Sequence, residues 1–176
     1  MALFSEIPRG LDQLFVNVLT GDTPGSNIAV PGIRGLSFTV ESDSDTLEGD
    51  NSVIATVRNP KSLTGSIELG RINLAALAAM VGGTVGSTGT TPNIIMTLEE
   101  SSAAGTQYFQ IQGNTHSQDS SGSGYRVTIK KALVTSGPDE SLTVNEWDTP
   151  TLDFTAVAIG GVLMTRAGYE SYVALT

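Results

Sequence analysis

The single histidine, His116, is followed closely by Ser117, Asp119 and Ser120, the residue types of an acid, base and nucleophile set. A triad requires those side chains to be held by a rigid scaffold. Here they are near neighbours in the polar, glycine-rich run 113–124, and a solvated loop histidine is the expectation. The acidic run 41–50 offers a second set: Asp43, Asp45, Glu48 and Asp50, with Glu41 at its start, could supply oxygens to calcium. Aligned as an EF-hand from Asp43, the obligatory glycine falls on Glu48 and the bidentate glutamate on Ile54, so the match fails. Gly83, Gly86 and Gly89 follow a predicted helix end rather than a strand, the wrong context for a dinucleotide fingerprint, and no phosphate loop of the GxxxxGKT kind occurs. Arg126, Lys130 and Lys131 form a small basic cluster on one predicted strand, read as counter-charge to an acidic surface. With no cysteine, neither a thiolate metal site nor a disulfide framework is available. The expectation is a protein without catalytic set, cofactor or metal.

A chain of 176 residues is one domain by the usual prior, divided here into an N-terminal strand and loop (1–33), a core (34–160) and a C-terminal arm (161–176). Charged residues make up only 15%, and 20 glycines together with β-branched runs favour an all-β class rich in turns. Eighteen acids against 9 bases give a net charge of −9, which argues against phosphate-driven nucleic-acid binding. The first eleven residues lack the basic and apolar regions of a secretory signal. The longest apolar stretches, 74–81 and 154–164, fall well short of the ~20 residues of a membrane helix, so no membrane partner is expected.

The stretch 34–83 is the most legible. Period-two alternation predicts strands over 34–40, 52–58 and 61–70, with 41–50 as an acidic loop. In the third strand Leu63, Ile67 and Leu69 face one way, while Ser62, Thr64, Ser66 and Glu68 face the other, as in a sheet with one dry and one wet face. A short helix follows over 74–80: Asn73 is a good N-cap, and Gly82 and Gly83 stop it. Leu74, Leu77, Ala78 and Val81 share one face. The other face is Ala75, Ala76 and Ala79, uncharged, which implies that it meets another subunit or, failing that, a loop of the same chain.

Elsewhere a first strand is predicted over 10–20, a Gly/Thr/Ser linker over 84–92, and a hairpin pairing 93–99 with 107–112. A long strand follows over 125–135, with Tyr125, Val127, Ile129, Lys131 and Leu133 on one face. A turn region with the only tryptophan, Trp147, precedes a core strand over 151–159; the segment 160–176 reads as a tail or an added edge strand.

Several runs, in order, resemble the major tail (tail tube) protein of long-tailed non-contractile bacteriophages. They are Leu47-Glu48-Gly49-Asp50, the strand 61–70 leading into Leu74-Ala75-Ala76-Leu77-Ala78-Ala79 and Gly82-Gly83-Thr84, then Tyr108-Phe109 with Gly113, then Val127-Thr128-Ile129-Lys130-Lys131-Ala132. The resemblance covers roughly residues 41–158. It implies an all-β β-sandwich or open barrel of about eight strands with one flanking short α-helix, assembled as hexameric rings stacked into a hollow tube for DNA. Its implied partners are further copies of itself and the tape-measure, tail-tip and tail-terminator proteins, in a virion tail assembled in the host cytoplasm. The stretch with Glu41, Asp43, Asp45, Glu48 and Asp50 would reach a neighbouring subunit or ring. The wet face of Ser62, Thr64, Ser66 and Glu68, small hydroxyls beside one acid, would line a channel that passes DNA without holding it.

Two readings from other classes stay open. A β-sandwich binding module for adhesion or carbohydrate recognition would display loop aromatics, for which Trp147 and Tyr125 are the candidates. An enzyme would need a convergent polar site that the residues above do not supply.

Overall fold

The alternating runs become thirteen strands and one helix among the described residues, which in this computed structural model are 10–42, 44–49, 52–58, 62–101, 105–116, 123–140, 144, 149–169 and 175. The strands before the helix are β1 (Gln13–Thr20), β2 (Thr23–Pro24), β3 (Ile28–Ala29), β4 (Ile33–Glu41), β5 (Ser44–Gly49), β6 (Ser52–Arg58) and β7 (Ser62–Leu69). After α1 (Leu74–Val81) come β8 (Thr84–Thr88), β9 (Ile95–Glu99), β10 (Phe109–His116), β11 (Gly124–Asp139), β12 (Thr151–Ala156) and β13 (Met164–Tyr169). The chain is all-β dominated with one short helix.

The main sheet runs β2-β1-β10-β11-β12-β7-β4, with β3 also on β1 and β13 also on β11. Its ladders are antiparallel. One end of this order, β4, approaches β10 and the off-path strand β13. A Cβ placed on Gly113 of β10 would stand 3.3 Å from Leu36 Cδ2 of β4, and the Arg166 guanidinium of β13 lies 5.9 Å over the Phe38 ring of β4. The sheet therefore curls back over itself into an open barrel. Phe109, Phe154, Leu63, Ile67, Ile111, Ile129 and Leu152 fill its interior and are fully buried. Of the two readings of the C-terminal segment, tail or added strand, residues Met164–Tyr169 form a strand, β13, on β11.

Strict alternation fails in the longest strand, and the register says why. Ile111 pairs with Ile129 but Phe109 pairs with Ala132, so Lys130 and Lys131 together oppose Gln110. One extra residue on β11 is a β-bulge, which reverses the face of everything beyond it. Val127 and Ile129 are buried before the bulge and Ala132 after it, whereas one uninterrupted alternation over 125–135 would have turned Ala132 outwards. The bulge also marks a change of partner: β13 occupies β11 as far as Ile129 and β12 takes over from Ala132.

Sequence reading misplaced one pairing. The predicted hairpin between 93–99 and 107–112 does not form; β9 pairs with β8, and β10 pairs with β1 and β11. The supposed linker 84–92 is half strand. Thr84, Val85, Ser87 and Thr88 are β-compatible despite the intervening Gly86, and they find a partner close in sequence.

Gly65 lies mid-strand in β7, between Phe38 and Phe154 on its two neighbours. A Cβ there would run into the Ser37 carbonyl oxygen and stand 2.6 Å from Phe154 Cζ. The ring could move; the backbone oxygen could not. Gly65→Ala is expected to lower stability by about 1–3 kcal/mol by chemical denaturation, and Phe154→Leu on the same chain should not restore it. An unchanged midpoint would contradict this packing.

Candidate assembly surfaces

Three strands build the most regular polar surface. Across β4, β7 and β12 the register aligns Ser37, Ser66 and Asp153 in one row and Thr39, Thr64 and Thr155 in the next. Ser37 Oγ and Ser66 Oγ share a hydrogen bond of 2.7 Å. With Thr135 of β11 these side chains border a shallow hollow of about 360 Å³. The face is wet because alternate residues, Leu63, Ile67, Leu152 and Phe154, are drawn into the core. Thus Ser62 and Thr64 are exposed and Ser66 and Glu68 half-buried, all turned from the core. Glu68 does not stand alone there: its Oε1 lies 3.4 Å from Arg34 Nε, a partly exposed pair of small energetic weight. Proximity of Arg34 was not legible, because it sits at an irregularity between Ile33 and Gly35 in the β4–β7 ladder.

The helix is turned relative to the expected orientation. Asn73 caps it, its Oδ1 accepting from the amides of Ala75 at 3.0 Å and Ala76 at 3.2 Å, and Gly82 closes it at φ 84°. Its buried residues, however, are Ala76, Leu77, Ala79 and Met80. Ala76 and Ala79, expected to face a neighbouring subunit, are 1% and 4% exposed within this one chain. Met80 is the reason: absent from the expected apolar face, it is fully buried and, with Leu77 three positions before it, sets the stripe that turns inwards. The chain supplies cover on several sides, since α1 packs against β1, β3 and β11 and also against β8 and β9. Of the three alanines only Ala75 is exposed; with half-buried Ala78 it borders a groove of about 330 Å³ beside Val18 and Ile28.

The acidic stretch is not a plain loop. Glu41 ends β4 opposite Ser62 and is exposed. Asp45 and Glu48 fall in β5, which pairs with β6 from Ser44↔Arg58 to Gly49↔Ser52; Asp43 and Asp50 lie outside the described residues. This hairpin forms its own two-stranded sheet.

His116 closes β10, while Ser117, Asp119 and Ser120 lie outside the described residues. Trp147 does too, and Tyr125 is half-buried in β11 rather than displayed on a loop. Among the described residues no group of three His, Cys, Asp or Glu comes together, and no helix is long and apolar enough to cross a membrane. The basic trio is dispersed. Lys131 Nζ donates to Asp22 Oδ1 at 2.8 Å and lies 4.6 Å from the Tyr108 ring centroid, while Arg126 stacks over Tyr169. Lys131 thereby balances an acid, as expected of the cluster.

Two further features lie outside the sequence-derived sites. One is the polar knot under the 21–29 loop: buried Asn17 donates from Nδ2 to the Gly25 carbonyl at 3.1 Å and to Asn27 Oδ1, and accepts from Gln112. A lone Asn in an apolar alternation could have flagged it. The other is the β8–β9 hairpin, whose Ile94, Ile95 and Met96 are exposed.

No family model matches the chain, and no curated protein matches it. Among solved structures it is similar to a chain in the cryo-EM structure of the anti-feeding prophage (AFP) baseplate, 6-fold symmetrised, at 16% identity and TM-score 0.43 over 93% of this chain and 97% of that one. At that score the likeness is loose and identifies neither a family nor a function.

Proposed function

We propose that this chain is a structural subunit of a phage-type virion tail, whose copies close into hexameric rings and stack into a hollow tube that delivers DNA. The observation that carries the reading is the wet sheet face, two aligned rows of small hydroxyls and one carboxylate across β4, β7 and β12. The two rows themselves hold no cation and few large side chains, and the cation beside them, Arg34, is paired with Glu68. This face ends at β4, which pairs only with β7 among the described residues, so its outer edge is open to further strands. The ordered sequence resemblance supports the same reading. On this reading Ser62, Thr64, Ser66 and Glu68 line the channel; Ala75 and the stretch bearing Glu41, Asp43, Asp45, Glu48 and Asp50 meet neighbouring copies. The tape-measure, tail-tip and tail-terminator proteins are its other partners, and the virion tail is its location.

The channel assignment is tested with Thr64→Lys, an exposed position that tolerates the change. Assembled variant is expected to retain duplex DNA at low salt and release it as salt rises, whereas assembled wild type retains none at any salt. Equal retention by both would place this face elsewhere.

A further inference from the structure

The second hairpin carries an unbalanced surface. β8 and β9 pair only with each other among the described residues, and an isolated two-stranded ribbon is marginal in water. Its inner end is secured: Leu98 packs on the core beside Gly83, where a Cβ would meet Leu98 Cδ1. Period two puts Met96 on the same face as Leu98, and Ile94 follows just before the strand, so the apolar surface leaves the core and continues outwards. Ile94, Ile95 and Met96 are 53%, 62% and 56% exposed, the one consecutive run among the exposed large apolar residues described. Nor is the ribbon guarded by charge. Between Arg71 and Glu99 the sequence has no Asp, Glu, Lys or Arg, although free strand edges are commonly protected by them. A strong acid pair, Glu99-Glu100, then marks its base, and both are exposed.

Elsewhere on the same chain lies a groove of about 450 Å³, between β4 on one side and β10, β11 and β13 on the other. Leu11, Leu36, Phe38 and Val127 give it apolar walls. Gly113 forms its floor, where a Cβ would come within 3.2 Å of Leu11 Cδ1. Its rim carries two exposed cations, Arg166, which lies over the Phe38 ring, and Arg34, which shares its charge with Glu68 at 3.4 Å. An apolar knob with an acidic base thus matches an apolar groove with a basic rim, on a chain whose overall charge of −9 would otherwise keep copies apart. We propose that the β8–β9 tip, Ile94 to Met96, seats in the β4–β13 groove of a second copy, with Glu99 and Glu100 facing Arg34 and Arg166. Knob and groove are different surfaces, so the contact is head-to-tail and propagates into a ring or a filament. This deepens the assembly reading and rests on it only in requiring that copies associate.

The absence of cysteine makes the test direct. Met96→Cys and Leu36→Cys proteins are mixed under associating conditions, treated with a short bismaleimide and resolved by mass. A heterodimer linked through those positions, suppressed at least tenfold by Ile95→Asp on the Met96→Cys protein, is expected; melting of Ile95→Asp should match wild type, because the tip is exposed. Glu99→Arg should weaken association and Arg166→Glu on the partner should restore it. If associated wild type forms but the cysteines do not link, the proposal falls and the tube reading stands. If they link in particles that are not tubes, the proposal stands and the tube reading falls. Preferential linkage of Leu36→Cys to a cysteine at Phe4 of the same chain would give the groove to the N-terminal residues and overturn the proposal.

Discussion

Ala79→Glu is expected to unfold the chain, whereas Ala75→Glu, one helical turn earlier, should leave its melting temperature almost unchanged. Ala79 is 4% exposed, the described residues that border its groove are all uncharged, and an unpaired buried carboxylate costs several kcal/mol even after relaxation. Against a typical total stability of about 5–15 kcal/mol, that is decisive. Ala75 is exposed in the first turn, where an added acid is mildly favoured by the helix dipole. Circular dichroism on the two variants checks the contrast. Folded, merely assembly-defective Ala79→Glu protein would mean that this face is not covered by its own chain.

Phe154→Ala should destabilise nearly as much. The ring is 1% exposed on β12, between β11 and β7, and its neighbour across the ladder is Gly65, which has no side chain to move into a void. Poor collapse places the cost at the upper part of about 3–5 kcal/mol for such truncations. At roughly 2–4 °C per kcal/mol for a chain of this size, thermal melting should fall by about 8–20 °C. A drop of under about 3 °C would show that the site relaxes or that the ring is not in the core.

These two residues also show what the sequence could and could not reveal. Phe154 was legible: Leu152, Phe154 and Ala156 alternate with Asp153 and Thr155, and each of the three apolar side chains is buried. The wet side of β7 was legible for the same reason. The rotation of α1 was not, because a helix made almost wholly of Ala, Leu, Met and Val has little contrast between its faces, and burial of Met80 rather than Leu74 is decided by the sheet beneath. β11 was legible as an element but not in phase, since a single-residue bulge at Lys130–Lys131 has no local signature and arises from register with β10. The β8–β9 ribbon was hidden by composition: Gly, Ser and Thr read as linker until a partner strand is known. Among the candidate assembly residues, the hydroxyl row could be seen from one strand alone. The groove could not, because Gly113, Val127 and Arg166 come together only through the pairing of β10, β11 and β13, and Leu36 reaches them only when the sheet curls.

Copies of this chain are expected to assemble into stacked rings around a hydroxyl-lined bore. Negative-stain electron microscopy of the purified protein, taken through rising concentration, tests it most directly. Rings of six-fold symmetry and tubes of one constant width with a stain-filled lumen are the expected images. A uniform field of single particles of the monomer's size at every concentration would contradict the account.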